Sequence, residues 1–395
     1  MTITKTTTPT TAAVTTPAPT TTPTPTTTPA PTTTPTPVTT PAPTPTTAPA
    51  PPPAHDDRNG ALEAEILRAP ERFRVLTGDR PTGRLHLGHY FGTLRNRVRL
   101  QDLGVDTYVI VADYQVLTDR DVAERLAEHV EELVLDHLAA GIDPERSTVF
   151  AHSAVPALNQ LLLPFLSLVT VPELQRNPTV KDEIAHSRQS SVSGLMFTYP
   201  VHQAADILFS KANVVPVGRD QLPHLEVTRT VARRFNERYG QVFPEPAALL
   251  SAAPVLLGTD GTKMSKSRGN AIALAATADE TARLLKGAKT DADRRITYDP
   301  ERRPEVSSLV LLAALCLDRD PHEVAAAIGD GGAAALKRTV TEAVNEHLAP
   351  LRARRAEFAR DRAYVRQVLR TGNARAAARA EATLAEVHEA MGTRY

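Results

Sequence analysis

Residues 72–94 read RFRVLTGDRPTGRLHLGHYFGTL, and this stretch decides the fold class. Its first seven residues predict a strand, and the segment after Leu87 predicts a helix. Between the two, glycines at 78, 83 and 88 allow a ligand to approach the backbone closely. The helix that begins near Gly88 points its free N–H groups and the positive end of its dipole at the same space. A strand, a glycine-containing turn and a helix in this order predict a site for an anion.

Strands and helices alternate from there onward. The further predicted strands are YVIVAD (108–113), STVFAHS (147–153), NVVPVG (213–218) and PVLLG (254–258). The stretch DVAERLAEHVEELVLDHLAAG (121–141) predicts an amphipathic helix that ends at Gly141, and a later helix runs through His224 and Arg233. This alternation predicts an α/β fold with a parallel sheet of the Rossmann nucleotide-binding type.

The composition changes twice along the chain. Residues 1–56 are nearly all Thr, Pro and Ala, and a segment with so little to bury cannot offset the entropy lost on ordering. We expect a disordered, partly polyproline-II tail, which serves either as a solubilising extension or as a docking arm. Residues 57–270 carry the strand–helix alternation. Residues 271–395 are rich in Ala, Leu, Arg and Glu without a strand pattern, so they predict a separate all-helical domain.

The bulk composition limits the classes of function. The 45 basic and 45 acidic side chains cancel, so any polyanion site is a local basic patch. The single cysteine, Cys316, excludes an intramolecular disulfide framework and lies in an apolar run typical of the core, which indicates a reducing, cytoplasmic setting. No stretch approaches the roughly 18 to 20 apolar residues that cross a bilayer, and the N-terminus lacks a signal pattern. We therefore expect neither a membrane protein nor a secreted one.

Two segments carry the candidate catalytic groups. In the first, His86 and His89 lie at the mouth of the predicted anion site, where imidazole N–H groups can stabilise charge on a phosphate under attack. The second, GTDGTKMSKSRGN (258–270), places Lys263 and Lys266 on a Gly/Ser/Thr loop, and two such ammonium groups suit a clamp on pyrophosphate. Surface histidines on a tight turn and a solvated basic loop are the ordinary alternatives for either segment alone.

Together, HLGH (86–89) and KMSKS (263–267) resemble the paired HIGH and KMSKS signatures of the class I aminoacyl-tRNA synthetases, in that family's order. Further stretches are similar to the tryptophan enzymes of that class: GDRPTGRLHLGHYFGTL (78–94), LAAGIDPERSTVFAHSAVP (138–156), TYPVHQAADIL (198–208) and VVPVGRDQLPHLEVTRTVARRFN (214–236). The resemblance implies that residues 57–270 are the catalytic domain and that residues 271–395 bind the tRNA anticodon region. It also implies ATP with Mg²⁺, L-tryptophan and tRNA(Trp) as ligands, a cytoplasmic homodimer, no membrane partner and no metal site in the protein itself.

The same resemblance assigns roles to single residues. Asp206 stands among apolar neighbours, where an unpaired carboxylate is expensive to bury, and it would accept the indole N–H of tryptophan. Tyr199 and Gln221 would hold the ammonium and carboxylate of the amino acid, with Gln203 in the same pocket. The implied ATP contacts are Arg80 (commonly Gln in the family), Pro81, Thr82, Gly88, His89, Gly218, Arg219, Asp220, Val255, Lys263, Met264, Ser265, Lys266 and Ser267. The alternatives without a functional role are that Asp206 is a helix charge that faces water, that Asp220 is a helix N-cap, and that Lys181 is a surface lysine.

Other functions remain open at this stage. The tyrosine ligases share the fold and carry a Gln three residues before an Asp, as Gln203 and Asp206 stand here. They also present a Tyr on the first strand, where this chain has the apolar Leu76, and this difference favours tryptophan. A smaller adenylyltransferase with an HxGH element, or a silent paralogue that acts as an interaction protein, is a further alternative. Neither class requires both intact motifs.

A basic cluster follows in the helical segment. Its members are Arg352, Arg354, Arg355, Arg360 and Arg362. Such a cluster predicts either an electrostatic contact with tRNA or an ordinary solvated helix face, and the sequence does not choose between them.

Overall fold

The computed structural model describes residues 55–118, 125–178, 180–181, 192–218, 221–250 and 255–395. The predicted tail lies outside these residues except at its last two positions. Residues 121–124 of the predicted amphipathic helix also lie outside them. From His55 onward the described residues belong to one compact unit.

A five-stranded parallel sheet forms the centre of this unit. The strands are β1 (Arg74–Asp79), β2 (Asp106–Val111), β3 (Ser147–Ala151), β4 (Val214–Val217) and β5 (Ala247–Leu250), in the spatial order β3-β2-β1-β4-β5. Val75 is paired with Thr107 on one side and with Val214 on the other. The strand order therefore reverses at β1, and in such sheets ligands bind in the crevice at the carboxyl ends of the strands beside the reversal. The predicted Rossmann-type fold is confirmed.

One predicted strand is wrong. The fifth strand is Ala247–Leu250, which pairs with β4 along its length, and not residues 254–258. Within the described part of that segment, Leu257 forms only an isolated bridge with Lys263, and the Gly258 N–H donates to Thr262 O at 2.7 Å. The segment therefore leads into the loop of residues 258–270 that carries Lys263 and Lys266, which we call the lysine loop. The real strand reads AALL, and alanine has little preference for strands, so the pattern did not reveal it.

Helices cover the sheet. In chain order they are α1 (His55–Arg68), α2 (Leu87–His89), α3 (Arg95–Asp102), α4 (Leu126–Ala140), α5 (Pro156–Gln160), α6 (Leu162–Leu166), α7 (Val171–Arg176), α8 (Gly194–Leu208), α9 (Leu222–Tyr239), α10 (Ala278–Lys286), α11 (Pro304–Leu317), α12 (Pro321–Ile328), α13 (Gly332–Arg360) and α14 (Arg362–Met391). A π-helical turn joins α2 to α3, so the helix predicted after Leu87 is present. Gly141 ends α4 with φ of 115°, as its capping role requires. Helix α1 was not predicted from the sequence.

The helices after residue 270 pack on the sheet rather than standing apart from it. At Gly372 of α14, a Cβ would lie 1.8 Å from Val149 O of β3, so only glycine allows the two backbones to approach this closely. The neighbouring Asn373 accepts a hydrogen bond from the Ala151 N–H at 2.9 Å, which satisfies a donor of the edge strand. One apolar core contains Val149 together with Val310. The division at residue 270 into a catalytic part and a tRNA-binding part therefore stays a prediction about function.

The described helices include none with the length and apolar character that crossing a membrane requires.

Candidate active site

Residues 80–89, which follow β1 and carry His86 and His89, are called the histidine turn here. This turn meets the lysine loop at the carboxyl end of β1. The Leu87 N–H donates to Ile272 O at 3.0 Å, and the Leu274 N–H donates to Leu85 O at 2.9 Å. These bonds join the HLGH segment to the residues that follow the lysine loop. The Lys266 ammonium donates to Gly83 O at 2.8 Å, across the turn between β1 and α2. Two segments far apart in sequence therefore line one cleft.

The two histidines are neutral hydrogen-bonding groups. Their ring centroids lie 3.7 Å apart, and His86 is almost fully buried. Burial lowers the pKa of His86 to about 3, helped by the positive charge of Lys266. Burial also lowers the pKa of His89 to about 4, although nearby Asp79 acts in the opposite direction. At neutral pH each ring therefore offers one N–H donor and one acceptor and carries no charge.

A buried charge network supports the end of β1. The carboxylate of Asp79 contacts the guanidinium of Arg97 and lies 3.0 Å from His137 Nε2. Burial acts to raise the pKa of Asp79, but Arg97 and His137 outweigh it and hold that pKa well below its usual range. Arg97 also donates to Gly78 O at 2.9 Å. The network fixes the last two residues of the strand from which the glycine-containing turn departs.

Asn270 organises the lysine loop, although it was not among the predicted site residues. Its side-chain oxygen accepts from the Ser265 N–H at 2.8 Å, and its amide nitrogen donates to Asp260 at 2.8 Å and to Lys263 O at 3.2 Å. Asn270 is 2 % exposed. At Gly258 a Cβ would lie 2.4 Å from the Asn270 side chain. A buried amide that follows a KMSKS-like string was the available signal, since such a residue must satisfy its hydrogen bonds locally.

A second buried carboxylate links the histidine turn to the C-terminal helices. Asp136 of α4 is fully buried and accepts from the Leu85 N–H at 2.8 Å and from Arg355 Nε at 2.7 Å. Arg355 also pairs with Glu132, and Arg362 donates to Glu132 at 2.8 Å. We refer to Asp136, Glu132 and Arg355 as the α4–α13 brace.

The brace corrects the sequence interpretation of the arginine cluster. The five arginines do not form one solvated helix face, because they have different environments, and the tRNA interpretation of the cluster stays a prediction. Arg352, Arg355 and Arg362 are partly buried and bonded within the protein, and Arg354 donates to Ala139 O at 2.8 Å. Arg360 is exposed.

Asp206 lies in α8 and is 2 % exposed, so it does not face water. Its Oδ1 lies 2.6 Å from His152 Nε2, and its Oδ2 lies 3.5 Å from Gln115 Nε2. The buried Tyr199, two turns earlier on α8, has its hydroxyl 2.8 Å from His224 Nε2. Asp206, Tyr199 and the half-buried Gln203 thus share one helix, while Gln221 precedes α9.

The remaining predicted site residues have varied settings. Pro81 is buried, Thr82, Gly88, Gly218 and Ser265 are half-buried, Met264 is 7 % exposed and packs in the core, and Arg80 and Lys263 are exposed. Val255 is 73 % exposed. Ser267 lies in a short 3-10 turn with Lys266. Arg219 and Asp220 lie outside the described residues.

Two residues given ordinary roles agree with the structure. Lys181 is exposed. Burial raises the pKa of the Cys316 thiol to about 12, so this cysteine is not a nucleophile at neutral pH. Leu76 of β1 is 4 % exposed and packs in an apolar core with Phe150 and Phe209.

Comparisons with known proteins agree with this geometry. Residues 68–349 match the model of the family described as tRNA synthetases class I (W and Y). The tryptophan–tRNA ligase of Treponema pallidum (strain Nichols) is 44% identical over 328 residues, which cover 81% of this chain and 96% of that protein. That of Clostridium longisporum is 42% identical over 331 residues, covering 81% and 97%. Among solved structures, tryptophanyl-tRNA synthetase from Campylobacter jejuni complexed with ADP and tryptophane has a TM-score of 0.71 at 28% identity and covers 81% of this chain and 99% of its own. This chain belongs to the class I tRNA synthetases of the tryptophan and tyrosine family.

Proposed function

We propose that this chain is a tryptophan–tRNA ligase, which activates L-tryptophan with ATP and passes the tryptophanyl group to tRNA(Trp). The observation that carries the proposal is the meeting of the histidine turn with the lysine loop, where Lys266 donates to Gly83 O at 2.8 Å. The curated relatives at 44% and 42% identity are tryptophan enzymes, which supports the choice of amino acid.

In the first step, a tryptophan carboxylate oxygen forms a bond to the α-phosphorus of ATP. The bond from that phosphorus to the bridging oxygen breaks, and pyrophosphate leaves with the electron pair. Positioning and charge stabilisation dominate such a step. His86 and His89 donate hydrogen bonds from their ring N–H groups to the phosphates. Lys263 and Lys266 balance the charge that develops on pyrophosphate. Mg²⁺ arrives with ATP as part of the substrate and keeps phosphate and water ligands.

The glycines of the turn suit a nucleotide. Gly83 has φ of 114°, a backbone conformation that residues with a side chain rarely adopt. At Gly88 a Cβ would lie 3.0 Å from His86. Both positions keep the backbone bare where phosphates approach. The other residues of the proposed ATP site are Arg80, Pro81, Thr82, Gly218, Arg219, Asp220, Val255, Met264, Ser265 and Ser267.

Asp206 is the proposed specificity residue. A buried carboxylate requires donors, and the indole ring of tryptophan offers a single N–H. On the first strand, the position at which the tyrosine ligases present a Tyr is occupied by Leu76, which is apolar and packed in the core. Tyr199, Gln203 and Gln221 complete the amino-acid pocket in this proposal.

In the second step, a terminal ribose hydroxyl of tRNA(Trp) attacks the activated carbonyl carbon, and AMP leaves. The proposal includes an anticodon-binding role for residues 271–395, a homodimer and a cytoplasmic location, for which the single cysteine is suited.

ATP–pyrophosphate exchange with tryptophan and tyrosine in parallel tests the function. We expect exchange that depends on tryptophan and not on tyrosine. Exchange with tyrosine alone would assign the chain to the other branch of its family, and no exchange with either would indicate a silent paralogue.

The specificity residue has its own test. In the Asp206→Ala variant we expect tryptophan-dependent exchange to fall by roughly 10- to 150-fold in kcat/KM, which corresponds to about 1.5–3 kcal/mol for a hydrogen bond to a charged group. Glu226→Ala, on an exposed helix face, is the control and should keep its activity. Unchanged exchange in Asp206→Ala would show that another group reads the indole.

A further inference from the structure

Three buried side chains beside the amino-acid pocket bring potential metal ligands together. His152 directly follows β3, while His202 and Asp206 lie one turn apart on the same face of α8. They are 0%, 4% and 2% exposed. One potential ligand atom from each residue lies within 4.8 Å of the other two. Among the described residues, this is the group of three side chains that could hold a metal ion.

The hydrogen bonding of these three groups is incomplete. His152 Nε2 and Asp206 Oδ1 lie 2.6 Å apart, yet neither atom forms an aligned hydrogen bond with any described residue. His202 Nδ1 also has no hydrogen-bond partner among those residues. His152 Nδ1 is a fourth such atom. Buried polar atoms in folded proteins are nearly always satisfied, so four unsatisfied atoms in one place indicate a missing ligand.

A neighbouring amide prepares one imidazole for a metal. Asn159 Nδ2 donates to His152 O and to Val155 O, both at 3.2 Å, so the amide oxygen faces His202. That oxygen lies 2.8 Å from His202 Nε2, which must therefore carry the ring proton. The other ring nitrogen, Nδ1, is left with its lone pair. Metal-binding histidines are commonly held in this way, with the far N–H donated to a carbonyl or carboxylate.

We propose that His152, His202 and Asp206 bind one divalent transition-metal ion, with Zn²⁺ as the best match. Two imidazole nitrogens and a carboxylate oxygen form a typical zinc ligand set with a fourth position left for another ligand. Bonds of about 2 Å at tetrahedral angles would set His152 Nε2 and Asp206 Oδ1 roughly 3.3 Å apart, so the side chains need to separate only slightly. This departs from the expectation of no protein metal site, because ligands from two distant segments leave no spacing motif in the sequence.

The site is compatible with the proposed role of Asp206 in reading the indole. The ion uses Oδ1, whereas Oδ2 points toward Gln115 and stays available to a donor. The ion would also balance a carboxylate that is 2 % exposed.

The test uses the untagged full-length chain, stripped with a chelator and titrated with Co²⁺ without tryptophan or ATP. We expect one equivalent of Co²⁺ with the visible absorption of a low-coordinate site, and its displacement by Zn²⁺. His152→Ala should lose stoichiometric binding, and Asn159→Ala should bind roughly 10- to 100-fold more weakly, as for other outer-shell partners. The control, His322→Ala, removes an exposed imidazole and should bind as the wild type does.

Absence of stoichiometric Co²⁺ binding by the wild type overturns the proposal and leaves an imidazole–carboxylate ion pair. Full binding by a folded His152→Ala variant overturns it as well. If that variant does not fold, the wild-type melting temperature decides, because an ion that binds only the folded state must raise it as Zn²⁺ increases. None of these measurements depends on amino-acid activation, so a failure here is distinguishable from a failure of the ligase assignment.

Discussion

The proposed phosphate end and the proposed amino-acid end of the site balance their buried charges by different means. Beneath the histidine turn, Asp79 lies against Arg97 and Asp136 lies against Arg355, and both guanidinium groups are charged at any relevant pH. In the proposed amino-acid pocket, the basic groups beside Asp206 among the described residues are imidazoles, whose charge depends on protonation. The buried carboxylates of the proposed phosphate end are therefore balanced by permanent charges, whereas the charge balance around Asp206 depends on what binds there.

The largest effect should come from breaking the α4–α13 brace. Burial raises the pKa of Asp136 even with Arg355 beside it, so the carboxylate depends on that cation. For Arg355→Ala we expect the free energy of unfolding, measured by urea denaturation, to fall by about 3–5 kcal/mol, because a buried charge loses its partner. The control Arg366→Ala removes a surface pair with Glu131 and should cost no more than about 1 kcal/mol. Equal losses in both variants would mean that the brace contributes no more than a surface pair.

The next effect concerns the contact between the lysine loop and the histidine turn. Burial lowers the pKa of Lys266, against the pull of Asp79 and Asp136, so its charge lies in a poorly solvated site where it acts strongly on a phosphate. For Lys266→Ala we expect ATP–pyrophosphate exchange to fall roughly 10²- to 10³-fold, as when one donor to a developing charge is removed. Lys286→Ala, exposed on α10, is the matched control. Near-normal exchange in Lys266→Ala would leave the pyrophosphate role to Lys263 alone.

The sequence revealed the parts of this molecule that are encoded locally. Four strands, the helix after Leu87 and the cap at Gly141 follow from short patterns, and the structure confirms them. The strand Ala247–Leu250 was missed because its residues have weak strand preference and its pairing with β4 is a tertiary effect.

The supporting groups of the site could not be inferred in the same way. Asp79, Arg97 and Asp136 are ordinary charged residues in sequence, and only the packing of α3, α4 and α13 makes them partners. The different environments within the arginine cluster could not be predicted for the same reason, since burial and pairing are not visible in a run of basic residues. Sequence motifs identify groups that act on a substrate, whereas groups that hold them are selected by geometry.

The smallest expected effect is a difference in acid sensitivity at the phosphate end. Burial lowers the pKa of His86 to about 3 and of His89 to about 4, below the value of about 6.5 in an unfolded chain. Between the lowered pKa of each folded histidine and the unfolded value of about 6.5, the unfolded chain binds more protons than the folded one. The contribution of the two histidines to stability is therefore complete above about pH 6.5 and is lost as the pH falls toward about 4. Urea midpoints at pH 7 and pH 4.5 should therefore differ less in His89→Gln than in the wild type. His322→Gln, at an exposed position, should keep the wild-type difference. An unchanged difference in His89→Gln would mean that folding does not lower the pKa of this ring, and the description of His89 as a neutral group at the phosphate end would be wrong.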